Sequence, residues 1–492
     1  MNFPLATKPW PHQQEGFDFA FPLDAAMLAA GMGCGKSLTA EALLAAWNCR
    51  HTLVLCPASV RSVWRREFTK HYPAMGVIVL DRKSVSKRTE DAADAINRMP
   101  GPLAIVLNYE AASLPPMASW ILSQRWDAVI CDESHLAGMP SDQTRTSRFI
   151  ASLTPISDRR ICLSGTPLAN QPLRAFGQYR FLDPRIFGSD YAAFAKRYGA
   201  PKQLRLRKRL KQSRVALAAA IADCYGADSP LLDEVSHEPD YSEILPGIQH
   251  TAEFEDRIRP ITWRCKSADV LDLPPLITEI REVDLTREQQ RVYGGLWQHL
   301  YADLGNGDAC TINAPLTLAT RWQQITSGFL GTDRSGIFRF PDNPKRDALR
   351  DLLREAGEPT IVFCRYVADL ATVEDVAKEL GLRYGELSHR RKDAVTNLAT
   401  LADGIDVAGV QPQSGGVGID LSRAKIGIWY SLANRLPEYD QAIARLHRPG
   451  TTGCRLYSLV ASDSIDADIH AAIADRRDVV EAILSRVQRK SY

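Results

Sequence analysis

Ala29-Ala30-Gly31-Met32-Gly33-Cys34-Gly35-Lys36-Ser37 is the stretch on which the fold turns. It reads Gly or Ala, four residues, then Gly-Lys-Ser, the spacing of a phosphate-binding loop. Glycines such as Gly33 and Gly35 let the backbone curl so that successive N–H groups face phosphate oxygens. Lys36 is placed to reach the outer phosphates, and the Ser37 hydroxyl to ligate magnesium. The Ala-rich run Leu38–Trp47 predicts a following helix whose N-terminal dipole meets the anion. Alone, the stretch also fits an ordinary glycine-rich turn before a helix, so the motifs after it decide.

Trp126-Asp127-Ala128-Val129-Ile130-Cys131-Asp132-Glu133-Ser134-His135 is an apolar strand ending in two carboxylates. The end of a strand in an open α/β sheet is where ligands bind. Asp132 has the oxygen chemistry that magnesium prefers, and Glu133 can polarise an attacking water. A surface acidic turn is the plainer alternative. Ser164-Gly165-Thr166-Pro167 ends the next strand, and its small hydroxyl residues can link a γ-phosphate site to a bound polymer. Pro11-His12-Gln13-Gln14-Glu15-Gly16 precedes the phosphate loop, and a glutamine amide such as Gln13 can read the edge of adenine. Farther on come Ser414-Gly415-Gly416-Val417-Gly418-Ile419-Asp420-Leu421 and Gln441-Ala442-Ile443-Ala444-Arg445-Leu446-His447-Arg448-Pro449-Gly450. Arg445 and Arg448 are three apart, which on a helix puts both guanidinium groups on one face, suited to charge developing on a transferring phosphoryl group. A basic helix end before Gly450 is the alternative.

The 492 residues predict more than one domain, and 45% hydrophobic with 24% charged residues is a globular composition. No stretch is apolar enough to predict a bilayer span, and Met1-Asn2-Phe3-Pro4 opens without the charged and apolar regions of a signal peptide. Ten scattered cysteines, none in a Cys-x-x-Cys pair, read as buried thiols in a reducing compartment. A cytoplasmic protein of a bacterial or phage-infected cell is expected. The net charge of +2 argues against a protein that coats nucleic acid with its whole surface. Yet Lys202, Arg205, Arg207, Lys208, Arg209, Lys211 and Arg214 form a basic run without an acidic residue, either a solvated helix face or a phosphate-contacting surface.

Strand-like runs at Thr52–Cys56, Leu103–Leu107, Ala128–Cys131 and Arg160–Ser164 alternate with polar or helical sequence, predicting a mostly parallel sheet covered by helices. A second set at Thr360–Cys364, Asp406–Val410, Ile426–Tyr430 and Arg455–Val460 predicts a second sheet. Leu204–Ala222, Asp284–Leu304 and Thr317–Ile325 read as helical. The fold class expected is α/β, two tandem lobes with helical insertions. The divisions are residues 1–182 for the nucleotide-binding lobe, 183–275 for a helical insertion and inter-lobe segment, and 276–492 for the second lobe.

In this order the motifs resemble those of the Swi/Snf-type DNA translocases of helicase superfamily two, from about Pro11 to Ile465. Pro11–Gly16 is similar to the family's glutamine motif, Met32–Ser37 to motif I, Val54–Phe68 to motif Ia and Leu107–Glu110 to motif Ib. Asp132-Glu133-Ser134-His135 is similar to motif II, Leu163–Asn170 to motif III, and Trp263–Leu271 with Leu273-Pro274-Pro275 to the inter-lobe segment. Val362–Cys364, Gly415–Gly418 and Gln441–Gly450 resemble motifs IV, V and VI. Pro57–Arg61 and Phe181–Pro184 further resemble the compact annealing-helicase branch. The chain departs from the family at Ala30 and Gly31, where acidic residues are usual, at Asp420, where Asn is usual, and at Ala433–Pro437, where a Trp-Asn-Pro element is common.

The resemblance implies two RecA-like lobes with ATP and magnesium in the cleft between them. It implies Lys36, Asp132, Glu133, Arg445 and Arg448 as catalytic, Gln13, Gly33, Gly35, Lys36, Ser37 and Gly418 as nucleotide-binding, and Ser37 and Asp132 as magnesium ligands. Ser59, Arg61, Asn108, Tyr109, Arg365 and Ser414 stand where the family faces DNA, and Ser164, Thr166 and Gln441 where it couples nucleotide to DNA. The partner implied is double-stranded DNA, gripped by its phosphate backbone without sequence reading. A strand-separating or annealing helicase is one alternative. A nucleotide-gated scaffold acting on an unidentified protein partner is another. The resemblance implies no membrane partner.

Overall fold

The computed structural model describes residues 5, 7–58, 60–81, 84–137, 144–165, 172–199, 249–299, 301–303, 309–311, 315–332, 336–388, 404–412, 421–433, 435–448, 453–475 and 479. The chain divides into two units, Met1–Val270 and Leu271–Tyr492. Each holds an α/β sheet whose paired strands all run parallel. Among the described residues no helix is long and apolar enough to cross a membrane.

The first sheet comprises β1 (Ala25–Ala30), β2 (His51–Cys56), β3 (Gly76–Val79), β4 (Leu103–Asn108), β5 (Trp126–Asp132), β6 (Ser157–Leu163) and β7 (Thr262–Cys265). Their spatial order is β3-β4-β2-β5-β6-β1-β7. The Val-, Ile- and Leu-rich runs of β2, β4 and β5 are buried almost throughout, as a sheet covered on both faces requires. β1 is the exception in composition: Ala-Ala-Met-Leu-Ala-Ala has weak strand propensity, yet all six residues are buried. Its place is set by neighbours on both sides, β6 and β7.

Within the expected insertion and inter-lobe segment of residues 183–275, Thr262–Cys265 forms β7, which pairs with Met27–Ala30 and completes the first sheet. Trp263 lies against Gly16, where an added Cβ would meet its ring at 3.1 Å. The helix Thr251–Ile258 also belongs here, because Phe254 stacks on Phe187 at 5.0 Å and Arg197 pairs with Glu253. Leu204–Ala222 and the basic run from Lys202 to Arg214 lie outside the described residues.

The second unit begins with β8 (Leu276–Val283) and carries two short ribbons, β9 (Tyr301–Asp303) with β10 (Ala309–Thr311) and β11 (Phe329–Gly331) with β12 (Ile337–Arg339). Its main sheet adds β13 (Thr360–Phe363), β14 (Tyr384–Leu387), β15 (Val407–Val410), β16 (Ile426–Trp429) and β17 (Cys454–Ala461), in the order β14-β15-β13-β16-β17-β8. The helix expected over Asp284–Leu304 spans Arg287–His299, and Tyr301–Asp303 turns instead into β9. The helix Pro344–Ala356 has sequence-encoded ends. Pro344 opens it, Asn343 Oδ1 accepts from the Arg346 amide at 3.2 Å, and Gly357 closes it at φ +57°. Beneath it, Lys345 and Asp466 form a fully buried ion pair at 2.5 Å.

Candidate nucleotide site

Parallel strands bring the predicted residues of the first unit to one sheet edge. Residues 31–35 follow β1, Asp132 ends β5, Ser164 follows β6, Asn108 ends β4, and Arg61 opens the helix after β2. All lie at or beyond the carboxyl ends of their strands, the edge where open α/β sheets bind ligands.

The loop after β1 has the conformation its glycines predict. Gly33 and Gly35 take φ +79° and +73°, in the region where other residues are strained. Helix α1 (Pro11–Ala20) precedes the loop and helix α2 (Lys36–Ala46) begins where it ends, directing its first amides forward. The Lys36 ammonium donates to the Ala30 carbonyl at 2.8 Å and the Gly31 carbonyl at 3.2 Å, so its charge lies over the loop. It is also 3.8 Å from where a Cβ on Gly165 would stand, which brings the turn after β6 to the same place. The glycine curl, the helix N-terminus and the ammonium fit a polyphosphate.

Other segments brace this loop. His12 Nε2–H and Gln13 Nε2–H both donate to the Cys34 carbonyl, at 3.0 and 3.2 Å, while Gln13 Oε1 accepts from the Trp10 amide at 2.9 Å. Gln13, expected to read a base edge, therefore also holds the loop. From the far end of the unit, the Ser267 hydroxyl donates to the Met32 carbonyl at 2.7 Å, and the Gly31 amide donates to the Cys265 carbonyl at 2.7 Å. The bracing roles of His12 and Ser267 are not legible in the sequence, that of Ser267 because it is 235 residues from its partner.

Asp132 is 7% exposed. Its Oδ1 accepts from the Glu133 amide and its Oδ2 from the Trp64 indole N–H, both at 2.9 Å. Burial and then the Glu133 charge push its carboxyl up to about 7. Glu133 is also buried and has φ +46°, a left-handed conformation unusual for a residue with a side chain. Its Oε2 lies 3.3 Å from His135 Nδ1, which is 2.9 Å from the Ser164 hydroxyl. Burial holds the His135 imidazole down at about 4, so it is neutral at pH 7 and the contact with Glu133 is no ion pair. The carboxylate, the imidazole and the hydroxyl form one connected line from β5 to β6. The Ser37 hydroxyl and Asp132 carboxylate fit magnesium by donor type, since that ion prefers oxygen and keeps much of its water. Bound there, it would supply positive charge to phosphoryl oxygens.

The residues expected to face DNA divide. Arg61 Nε donates to the Ala58 carbonyl at 2.9 Å and its Nη1 to the Leu80 carbonyl at 2.7 Å, tying the loops after β2 and β3 together. Asn108 donates to Glu110 at 2.7 Å. Tyr109 is 4% exposed, and its hydroxyl donates to the Asp132 carbonyl at 2.6 Å, so its ring packs in the sheet interior. Ser59 and Thr166 lie outside the described residues.

In the second unit, Arg365 follows β13, its guanidinium 5.4 Å from the Tyr366 ring centre. Gln441 and Arg445 sit on the helix Leu436–Leu446, with Arg445 in its last turn and 7% exposed. Arg448 lies beyond the helix end, because His447 leaves helical geometry at φ −98°, ψ +97° and donates Nε2–H to the Pro274 carbonyl at 2.6 Å. The shared helix face expected of the two arginines is therefore not their geometry. Ser414 and Gly418 lie outside the described residues.

Residues 12–327 match the SNF2-related domain, and residues 344–450 the helicase conserved C-terminal domain. A SWI/SNF-related matrix-associated actin-dependent regulator of chromatin subfamily A-like protein 1 homologue of Caenorhabditis elegans is 28% identical over 41% of this chain and 28% of its own length. Protein CHROMATIN REMODELING 25 of Arabidopsis thaliana is 30% identical over 39% of this chain and 22% of its own. An uncharacterised ATP-dependent helicase of Mycoplasma pneumoniae is 23% identical over 96% of this chain and 42% of its own. The chain thus spans less than half the length of these curated relatives. A solved SWI2/SNF2 ATPase core of Sulfolobus solfataricus, in complex with double-stranded DNA, aligns over 99% of this chain and 95% of its own at 19% identity and a TM-score of 0.42.

Proposed function

The chain belongs to the SNF2-related family, and from that premise we propose that it is an ATP-driven translocase on double-stranded DNA. One observation carries the nucleotide half of this reading. The phosphate loop, the Asp132–Glu133 pair and Ser164 leave the neighbouring strands β1, β5 and β6 at the same edge, with the Lys36 ammonium among them.

Lys36 and the amides opening α2 hold the phosphates, and Ser37 and Asp132 are the magnesium ligands. Glu133 polarises the attacking water, its carboxylate aligned by neutral His135. Arg445 and Arg448 carry guanidinium charge for the transferring phosphoryl group. Asn108, Arg61 and Arg365 contact DNA phosphates, which bear force without reading sequence. Cycles of nucleotide binding and release change the grip and move the protein along the duplex.

The test is ATP hydrolysis by the protein alone and with single-stranded DNA, duplex DNA or RNA, with Lys36→Ala as the blank, followed by triplex displacement. Stimulation by duplex that is lost in the blank, together with displacement of a third strand, is the expected result. Preference for a single strand would replace the reading with an unwinding helicase. Hydrolysis indifferent to every nucleic acid would replace it with action on a protein partner.

A further inference from the structure

Two donors from outside its own strand converge on Asp132. The Trp64 indole N–H meets Oδ2 at 2.9 Å, and the Tyr109 hydroxyl meets the backbone carbonyl at 2.6 Å. Both rings are buried, at 1% and 4% exposure. Each belongs to a segment expected to touch DNA. Trp64 is one turn into helix α3 (Arg61–His71), which Arg61 opens, and Tyr109 follows Asn108 directly. The strands explain the convergence, because β4, β2 and β5 are consecutive in the sheet.

We propose that Trp64 and Tyr109 are positioning residues that make the place of Asp132 depend on the two loops facing duplex phosphates. Arg61 fixes the start of α3 by bridging the Ala58 and Leu80 carbonyls, so a displacement of the loop after β2 carries the helix and its indole with it. Packed interiors transmit such shifts, and hydrogen bonds in them are strong and directional. Phosphate contact at the first loop is then felt at Oδ2, and contact at Asn108 is felt at the Asp132 carbonyl. The coupling is reciprocal: magnesium-nucleotide held by Asp132 strengthens the hold on duplex.

This inference rests on the translocase reading for its DNA half. Trp64→Phe and Tyr109→Phe each keep a ring and delete one donor. The measurement is the affinity for a fluorescent ADP, with and without magnesium and with and without a short duplex, alongside thermal melting to confirm folding. Both variants should bind the magnesium-free nucleotide like the wild type. The affinity gained from magnesium should fall about fivefold or more, and the effect of duplex on that gain should disappear. Wild-type magnesium and duplex effects in both variants would overturn the proposal. A wild-type protein that binds no duplex would overturn the translocase reading and the DNA half together, and the magnesium comparison would then decide the positioning role alone.

Discussion

Gly31 lies directly against Ser267: a Cβ on the glycine would stand 2.2 Å from the serine hydroxyl oxygen and 2.8 Å from its backbone nitrogen. This accounts physically for one departure from the family pattern. An acidic side chain at position 31 would occupy the space through which Ser267 reaches the Met32 carbonyl. Gly31→Ala should therefore displace backbone as well as a hydroxyl. The expected cost is about 1–3 kcal/mol of stability, with weakened nucleotide binding. Ser267→Ala removes the hydroxyl's bond to the Met32 carbonyl and its weak 3.6 Å contact with Cys34 Sγ, and should cost only about 1 kcal/mol. Thermal melting and nucleotide titration of both variants check the ranking, and an unperturbed Gly31→Ala would rule out the close fit.

Glu133→Gln keeps size and shape and removes the group assigned to the attacking water. Nucleotide binding should remain, while hydrolysis falls by about 10²–10⁴-fold, the range of general-base catalysis. Single-turnover hydrolysis with a parallel binding titration separates the two. Turnover at the wild-type rate would remove Glu133 from the chemistry.

Glu41, on α2, is fully buried, and among the described residues neither of its carboxylate oxygens has a hydrogen-bond partner. Burial, and secondarily the Glu67 charge, push its carboxyl up to about 9. The folded protein thus retains a proton that the unfolded chain releases near pH 4.5. Its stabilising contribution is full below that value, declines as pH rises, and is gone above the folded pKa. The slope is at most about 1.4 kcal/mol per pH unit. Glu41→Gln should flatten the fall in melting temperature between about pH 5 and pH 9. The same slope in the variant would show that another group causes it.

In the second unit, Lys345 and Asp466 are each 1% exposed, and Asp466 Oδ1 also accepts from the Thr326 hydroxyl at 3.1 Å. Asp466→Ala leaves a buried ammonium without its counter-charge and should cost about 3–5 kcal/mol. Replacing both partners with apolar residues should cost much less. Denaturant unfolding of the two variants gives the comparison, and equal losses would count against the pairing as the source.

The parts of the site legible in the sequence are those written in short spacings. The glycines, Lys36 and Ser37 are contiguous, and Asp132–Glu133 end an unmistakable apolar run. Strands such as Leu103–Asn108 announce themselves through branched residues. Ala25–Ala30 does not, because alanine favours helices and only its two neighbours make it a strand. The bonds from Trp64 to Asp132 and from Ser267 to Met32 span 68 and 235 residues, and no local pattern encodes them. The three-residue spacing of Arg445 and Arg448 gives a shared face only on a continuing helix, and this helix ends at Leu446.

The pairing of Ala25–Ala30 with Thr262–Cys265 also sets an order on the protein's birth. A ribosome extends the chain at about 5–20 residues per second, so the strand that precedes the phosphate loop waits roughly 10–50 s for the partner that covers its outer side. During that interval its backbone is an open edge, of the kind that recruits foreign strands. The nascent chain is most vulnerable to mispairing before position 265 has emerged, and a helper that shields growing chains would matter most in that window.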